Sequence, residues 1–227
     1  MQDEKIIFDK NDELNNKWLK LMNDWKKARP KYRPFCDDGV LKYWKDTSKI
    51  IFLLKETYFD FSKIRGTTHY GQGNGGTFWR RMRMWTYIID EYLKGNRPNY
   101  KDTYSIKEKI NDSVAHVNLK KYAERDPSTS EWASNDKDIF EYVVNDKDYL
   151  LKQIKLLNPN IILCCGTFKY CQKLFNNIIK ISNKLYNADG FYLIEFGHPS
   201  QRNKSYKQNF IDLNKIMNNY IKAKTSA

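Results

Sequence analysis

The chain has 227 residues, 41% of them hydrophobic and 15% aromatic, which suits one domain of above-average size or a domain with one sizeable insertion and is too apolar for a disordered chain. Its longest apolar runs are too short to span a bilayer and its charged start, Met1-Gln2-Asp3-Glu4-Lys5, lacks a secretory cleavage site, so a cytoplasmic protein with no membrane partner is expected. Forty Lys and Arg against 27 Asp and Glu leave a net charge of +13, an excess that draws polyanions, with nucleic acid the commonest; a Lys- and Asn-rich proteome produces the same balance.

In chain order, residues 1–45 are expected to form an N-terminal helical region in which Leu14, Trp18, Leu21 and Trp25 make one apolar stripe. Residues 50–54 read as a buried strand, followed by a helix whose stripe is Phe78, Met82, Trp85, Ile89 and Tyr92. A second strand falls at 114–117. The polar segment 122–146, with the turn signal Asp126-Pro127-Ser128, is an insertion outside the sheet. A third strand at 161–165 precedes a helical stripe of Phe168, Cys171, Phe175 and Ile178. A fourth at 191–196 precedes a last helix carrying Phe210, Leu213, Met217 and Tyr220. Strands alternating with helices predict a single α/β domain over 1–227, a three-layer sandwich around a central four-stranded parallel sheet. Cys36, Cys164, Cys165 and Cys171 lack the paired spacing of a metal site, and no metal or cofactor is expected.

Ligands of open parallel sheets bind beyond the carboxyl ends of the strands, so the residues there are the candidates. They are Lys55-Glu56-Thr57-Tyr58-Phe59-Asp60, Asn118-Leu119-Lys120-Lys121, Gly166-Thr167, and Gly197-His198-Pro199-Ser200-Gln201-Arg202-Asn203. His116 and His198 lie at strand ends and His69 in the loop after the first strand, which places all three histidines of the chain toward one edge. Gly71-Gln72-Gly73-Asn74-Gly75-Gly76 matches a dinucleotide fingerprint by letter, but it does not directly follow a strand and no acid stands at the end of the next one. It serves better as a glycine loop opening a helix at Thr77, where backbone amides could hold a phosphate.

The ordered segments Ile50-Ile-Phe-Leu-Leu-Lys-Glu-Thr-Tyr-Phe59, Val114-Ala-His-Val-Asn118, Pro159-Asn-Ile-Ile-Leu-Cys-Cys-Gly166 and Gly197-His-Pro-Ser-Gln-Arg-Asn203 resemble the motifs of the uracil-DNA glycosylase superfamily. The resemblance spans most of 50–203, and His198-Pro199-Ser200 is its most specific piece. It implies a monomeric, cofactor-free DNA glycosylase that flips a pyrimidine out of DNA and hydrolyses its N-glycosidic bond. The first motif departs from the family's pattern, with Leu54 for its glycine, Thr57 for its proline and Glu56 at its Asp or Asn position. The target is therefore uracil or a bulkier modified pyrimidine, such as a modified cytosine of phage DNA, which suits repair or antiviral defence.

Under this resemblance Glu56, with Asp60 as the alternative, is the catalytic carboxylate serving a cationic sugar and its attacking water. His198 donates to the base oxygen on which charge develops. Asn118 reads the pyrimidine edge, Tyr58 packs against its C5 and Phe78 stacks on the ring. Ser200, Arg202, Lys204 and Lys121 contact DNA phosphates, and Arg80, Arg81, Arg83 and the basic stretch 26–33 are either further phosphate contacts or a solvated face. Two rivals remain at this level: a catalytically inactive DNA-binding module of the same fold, and an enzyme holding a free nucleotide at Gly71–Gly76.

Overall fold

The structure, a computed structural model, describes residues 13–31, 35, 38, 44, 48–56, 76–106, 114–122 and 134–225. Helix α1 (Glu13–Ala28) comes first, then strand β1 (Ile50–Glu56), helix α2 (Thr77–Leu93), a short 3-10 turn (Tyr100–Tyr104) and strand β2 (Val114–Lys120). Helices α3 (Asp136–Asn145) and α4 (Lys147–Leu157) lead to β3 (Ile161–Cys165) and α5 (Phe168–Leu174). Strands β4 (Ile178–Ser182), β5 (Leu185–Ala188) and β6 (Phe191–Phe196) precede the closing helix α6 (Tyr206–Thr225).

The strands form one sheet in the order β2-β1-β3-β6-β5-β4. The four strands expected from the apolar runs form and are mutually parallel, but they are not the whole sheet: β5 runs antiparallel to β6 and β4 antiparallel to β5. The sheet is therefore six-stranded and mixed, a correction to the four-stranded parallel one. Ile178, expected in a helical stripe, opens β4 after α5 has stopped at Leu174. The turn joining β5 to β6 is Asp189-Gly190, both at positive φ (50° and 92°), the geometry a tight hairpin requires.

Residues of β1 to β3 are buried on both sides, which is why they read as continuous apolar runs. Alternation sends Ile50, Phe52, Leu54, Val114, Ile161 and Leu163 into one core with Met82, Trp85 and Ile89 of α2 and Leu213 and Met217 of α6. The intervening Ile51, Leu53, Ala115, Val117 and Ile162 enter a second core, with Trp18 and Trp25 of α1, Ile139 and Val143 of α3, and Leu150 and Ile154 of α4. The later part of the segment expected to stand outside the sheet thus contributes α3 to the core. Among the described residues no helix is long and apolar enough to cross a membrane.

Candidate active site at the carboxyl ends of the parallel strands

Parallel strands aligned in register deliver their carboxyl ends to one edge. Glu56 pairs with Lys120 across β1 and β2, and Cys165 with Phe196 across β3 and β6. The chain then leaves β6 through Gly197 to His198. Gly166, immediately after β3, has φ +74°, which only glycine adopts at no cost, and a Cβ there would lie 3.6 Å from the backbone nitrogen and Cβ of His198. The Gln201 side-chain amide lies over Gly197 where a Cβ would stand, so a side chain there would have to displace it, and Gln201 N–H donates to the His198 carbonyl at 2.9 Å.

His198 is half-buried, and Phe78, on the first turn of α2, lies beside it with ring centroids 5.9 Å apart. The backbone N–H of Ser200 donates to His198 Nδ1 at 3.2 Å. A nitrogen that accepts carries no proton, so the neutral ring keeps its proton on Nε2 and offers a single outward donor. Burial, with the nearby Lys55 ammonium adding to it, holds the imidazole below its ordinary pKa and so in that neutral form.

Glu56, at the end of β1, is buried. Its Oε1 accepts the Ser134 N–H at 2.9 Å, its Oε2 accepts the Ser134 hydroxyl at 2.6 Å, and Lys120 Nζ stands 3.8 Å from Oε2. Lys120 donates to Ser134 Oγ at 2.5 Å, and Lys55 donates to the Ser134 carbonyl. Ser134 therefore joins two lysines to the one described candidate carboxylate. No local sequence signal marks it, because it lies in the polar insertion.

Asn118 is also buried. Asp38, beside the outer edge of β2, accepts its backbone N–H and its Nδ2, both at 2.8 Å, while its Oδ1 has no hydrogen-bond partner among the described residues. The amide is thus anchored through nitrogen with an acceptor to spare. Strand alternation places Asn118 on the α2 side of the sheet with His116, whose ring lies between Phe52 (centroids 6.1 Å) and Trp79 (6.0 Å). Burial pushes His116 down to about 4.

The expected phosphate contacts separate into two groups. Ser200 and Arg202 are exposed on the loop after β6, whereas Lys204 donates to Asp212 Oδ2 at 2.5 Å. Lys121, expected at DNA, is instead fully buried: it pairs with Asp38 and donates to the Asn118 carbonyl and Gln153 Oε1, both at 2.8 Å. Arg81 is likewise no surface residue, being 3% exposed. Its NH1 donates to the carbonyls of Pro199 (3.0 Å) and Gln201, and its NH2 to that of Lys204 (2.7 Å). Arg80 is exposed and stacks over Tyr206 at 4.4 Å. Tyr58, Asp60, His69 and Gly71–Gly75 lie outside the described residues.

The structure therefore brings His198, Phe78 and Gly166 together and places Glu56 and Asn118 at the ends of neighbouring strands. No model of a known protein family matches the chain, and no curated protein matches it.

Proposed function

We propose that this protein is a monomeric DNA glycosylase of uracil-DNA glycosylase type, acting on uracil or a modified pyrimidine. The observation that carries this reading is His198: a neutral imidazole with Nδ1 occupied by a backbone N–H, one Nε2–H left to donate, and an aromatic ring beside it. A donor fixed in this way suits a leaving pyrimidine, whose carbonyl oxygen gains negative charge as the bond to the sugar breaks. A cationic imidazole would donate too, but it would surrender its proton rather than hold an anion.

The reaction assigned to the site runs as follows. The C1′–N1 bond breaks and its electron pair stays on the base, spreading onto the carbonyl oxygen that accepts from His198 Nε2–H. The sugar becomes oxocarbenium-like. The Glu56 carboxylate stabilises that cation and takes a proton from the water whose oxygen bonds to C1′, leaving an abasic sugar and a free base. Phe78 stacks on the extruded ring, and the Asn118 oxygen accepts an N–H of its edge. Arg202 and Ser200 hold the neighbouring phosphates. A three-layer glycosylase-like sandwich accommodates the four parallel strands, with the β4–β5 hairpin as an extension.

The test is base release by purified protein on uracil-containing DNA, ordinary DNA, and phage DNA bearing hydroxymethylated or glucosylated cytosine, followed by alkali. One substrate is cleaved, and His198→Ala slows it by about 10²–10³-fold. DNA bound with no alkali-labile site on any substrate makes the protein a non-catalytic binder instead.

A further inference from the structure

We propose that Arg81 is a positioning residue for His198, acting through the loop 198–204; the proposal rests on the reading of His198 as the donor to the leaving base. Three backbone carbonyls of that loop, those of Pro199, Gln201 and Lys204, converge on one buried guanidinium. Three carbonyls turned inward each need a donor, and an arginine supplies several in one rigid plane, whereas a lysine offers three from a single point. The ring of Tyr206 lies 5.2 Å from the guanidinium carbon, closing the clamp from α6.

What the clamp fixes is the identity of the nitrogen that carries the proton. His198 Nδ1 accepts from the N–H of Ser200, and Ser200 stands between two of the clamped residues, Pro199 and Gln201. Gln201 N–H returns to the His198 carbonyl, so the ring and its partner belong to one tight turn. If the turn relaxes, the Ser200 N–H leaves Nδ1, both neutral tautomers become populated, and the Nε2–H donor is present only part of the time. Arg81 comes from α2, the helix whose first turn carries Phe78. One helix thereby sets both the stacking ring and the loop that orients the histidine.

The test reads the tautomer directly. Long-range proton–nitrogen spectra of 15N-labelled protein at neutral pH should show His198 with Nδ1 bare and Nε2 protonated, the signals being assigned by their loss in His198→Ala. Arg81→Lys and Arg81→Ala should show mixed tautomers and lower kcat by about 10- to 100-fold with KM little changed, as expected when a reacting group is misplaced rather than removed. Millimolar guanidinium should restore kcat in Arg81→Ala but not in Arg81→Lys, where the ammonium fills the space. A wild-type His198 protonated on Nδ1, or a folded Arg81 variant with an unchanged tautomer, overturns the proposal, and the wild-type spectrum decides even where a variant fails to fold. Because the tautomer needs no substrate, absence of base release overturns the glycosylase reading while leaving this measurement able to decide on Arg81.

Discussion

Lys120 and Lys121 are adjacent at the end of β2, both fully buried and each paired with a carboxylate, yet the two ion pairs differ in what they leave over. Around Lys121 the bonds are closed. Asp38 receives four donors, from the Asn118 backbone, Asn118 Nδ2, Lys121 and Gln153 Nε2, while Lys121 donates to three acceptors and lies 4.9 Å from the Trp25 ring. Around Lys120 the carboxylate has capacity in hand. Each Glu56 oxygen accepts one hydrogen bond from Ser134, and Lys120 stands off at 3.8 Å, its charge shared with the rings of Tyr122 (4.6 Å) and Tyr142 (4.9 Å). A carboxylate has about four lone-pair positions, so Glu56, with two donors, has more acceptor capacity left than Asp38, with four. The first pair locks α1, β2 and α4 together. The second holds a charged acceptor ready at the sheet edge.

The largest effect should come from breaking the closed pair. Asp38→Ala leaves a buried ammonium and three other donors without their acceptor, and stability measured by urea unfolding should fall by about 3–5 kcal/mol. Replacing both partners, Asp38→Asn with Lys121→Met, should recover most of that loss, because the buried charge goes with its counter-charge. A loss under about 1 kcal/mol in the single variant would make the two pairs alike.

Glu56→Gln should divide the other way. The amide keeps an acceptor for Ser134, so the unfolding midpoint should fall less than in Asp38→Ala, whereas base release should fall by about 10²-fold or more. A variant that unfolds as readily as Asp38→Ala and releases base at the wild-type rate would show that Glu56 is structural too.

The two described histidines extend the comparison to pH. Both have folded-state pKa values below the ordinary imidazole value, so the unfolded chain takes up protons first as pH falls. Stability is therefore complete above about 6.5 and is lost as pH drops toward the folded value, about 4 for His116; for that buried ring the loss is on the order of 3 kcal/mol. Denaturation midpoints measured from pH 7 to 4 should fall in wild type and fall less in His116→Phe. His198 titrates in the same direction, and protonation there removes the neutral donor. Base release should accordingly persist below the ordinary histidine range before declining on the acid side.

The parts of this molecule visible in its sequence are those with a local period. Ile50–Leu54 and Ile161–Cys165 announce themselves because parallel strands are apolar on both faces, and Met82, Trp85, Ile89 and Tyr92 because a helix repeats near 3.6 residues. Strand β4 has no such pattern, since Ile179, Lys180 and Ile181 are exposed, and Ile178 continued the spacing of the preceding helix by coincidence. The signal that could have shown the hairpin is Asp189-Gly190, a turn pair between two runs of strand-forming residues. At the site, His198 and Phe78 were legible from strand ends and motif order. Asp38 and Ser134 were not, nor were the inward bonds of Lys55 and Arg81, because an ion pair or a carbonyl clamp between distant segments leaves no spacing to read. Two successive lysines resemble a solvated charge run until β2 is known to end beneath α3 and α4.

The smallest effect concerns DNA affinity, and it turns the same contrast, between cations already committed and cations still open, onto the surface. A basic side chain steepens the salt dependence of binding only if it is available to a phosphate, each contact contributing about 0.9 to the log–log slope on duplex DNA. Lys121 and Arg81 are spent inside the protein, and Lys204 is held by Asp212, whose carboxyl the Lys204 and Gln208 hydrogen bonds keep below its ordinary pKa although partial burial works the other way. Arg202 is exposed on the loop after β6, the loop to which the proposed function assigns a phosphate contact. Binding measured by fluorescence anisotropy across a salt series should thus show a slope about 0.9 shallower for Arg202→Ala, and little change for Lys204→Ala. Equal slopes for the two variants would place the Lys204–Asp212 pair among the bonds that open for DNA, and a wild-type slope in Arg202→Ala would move the phosphate path off this loop toward Arg80 on α2.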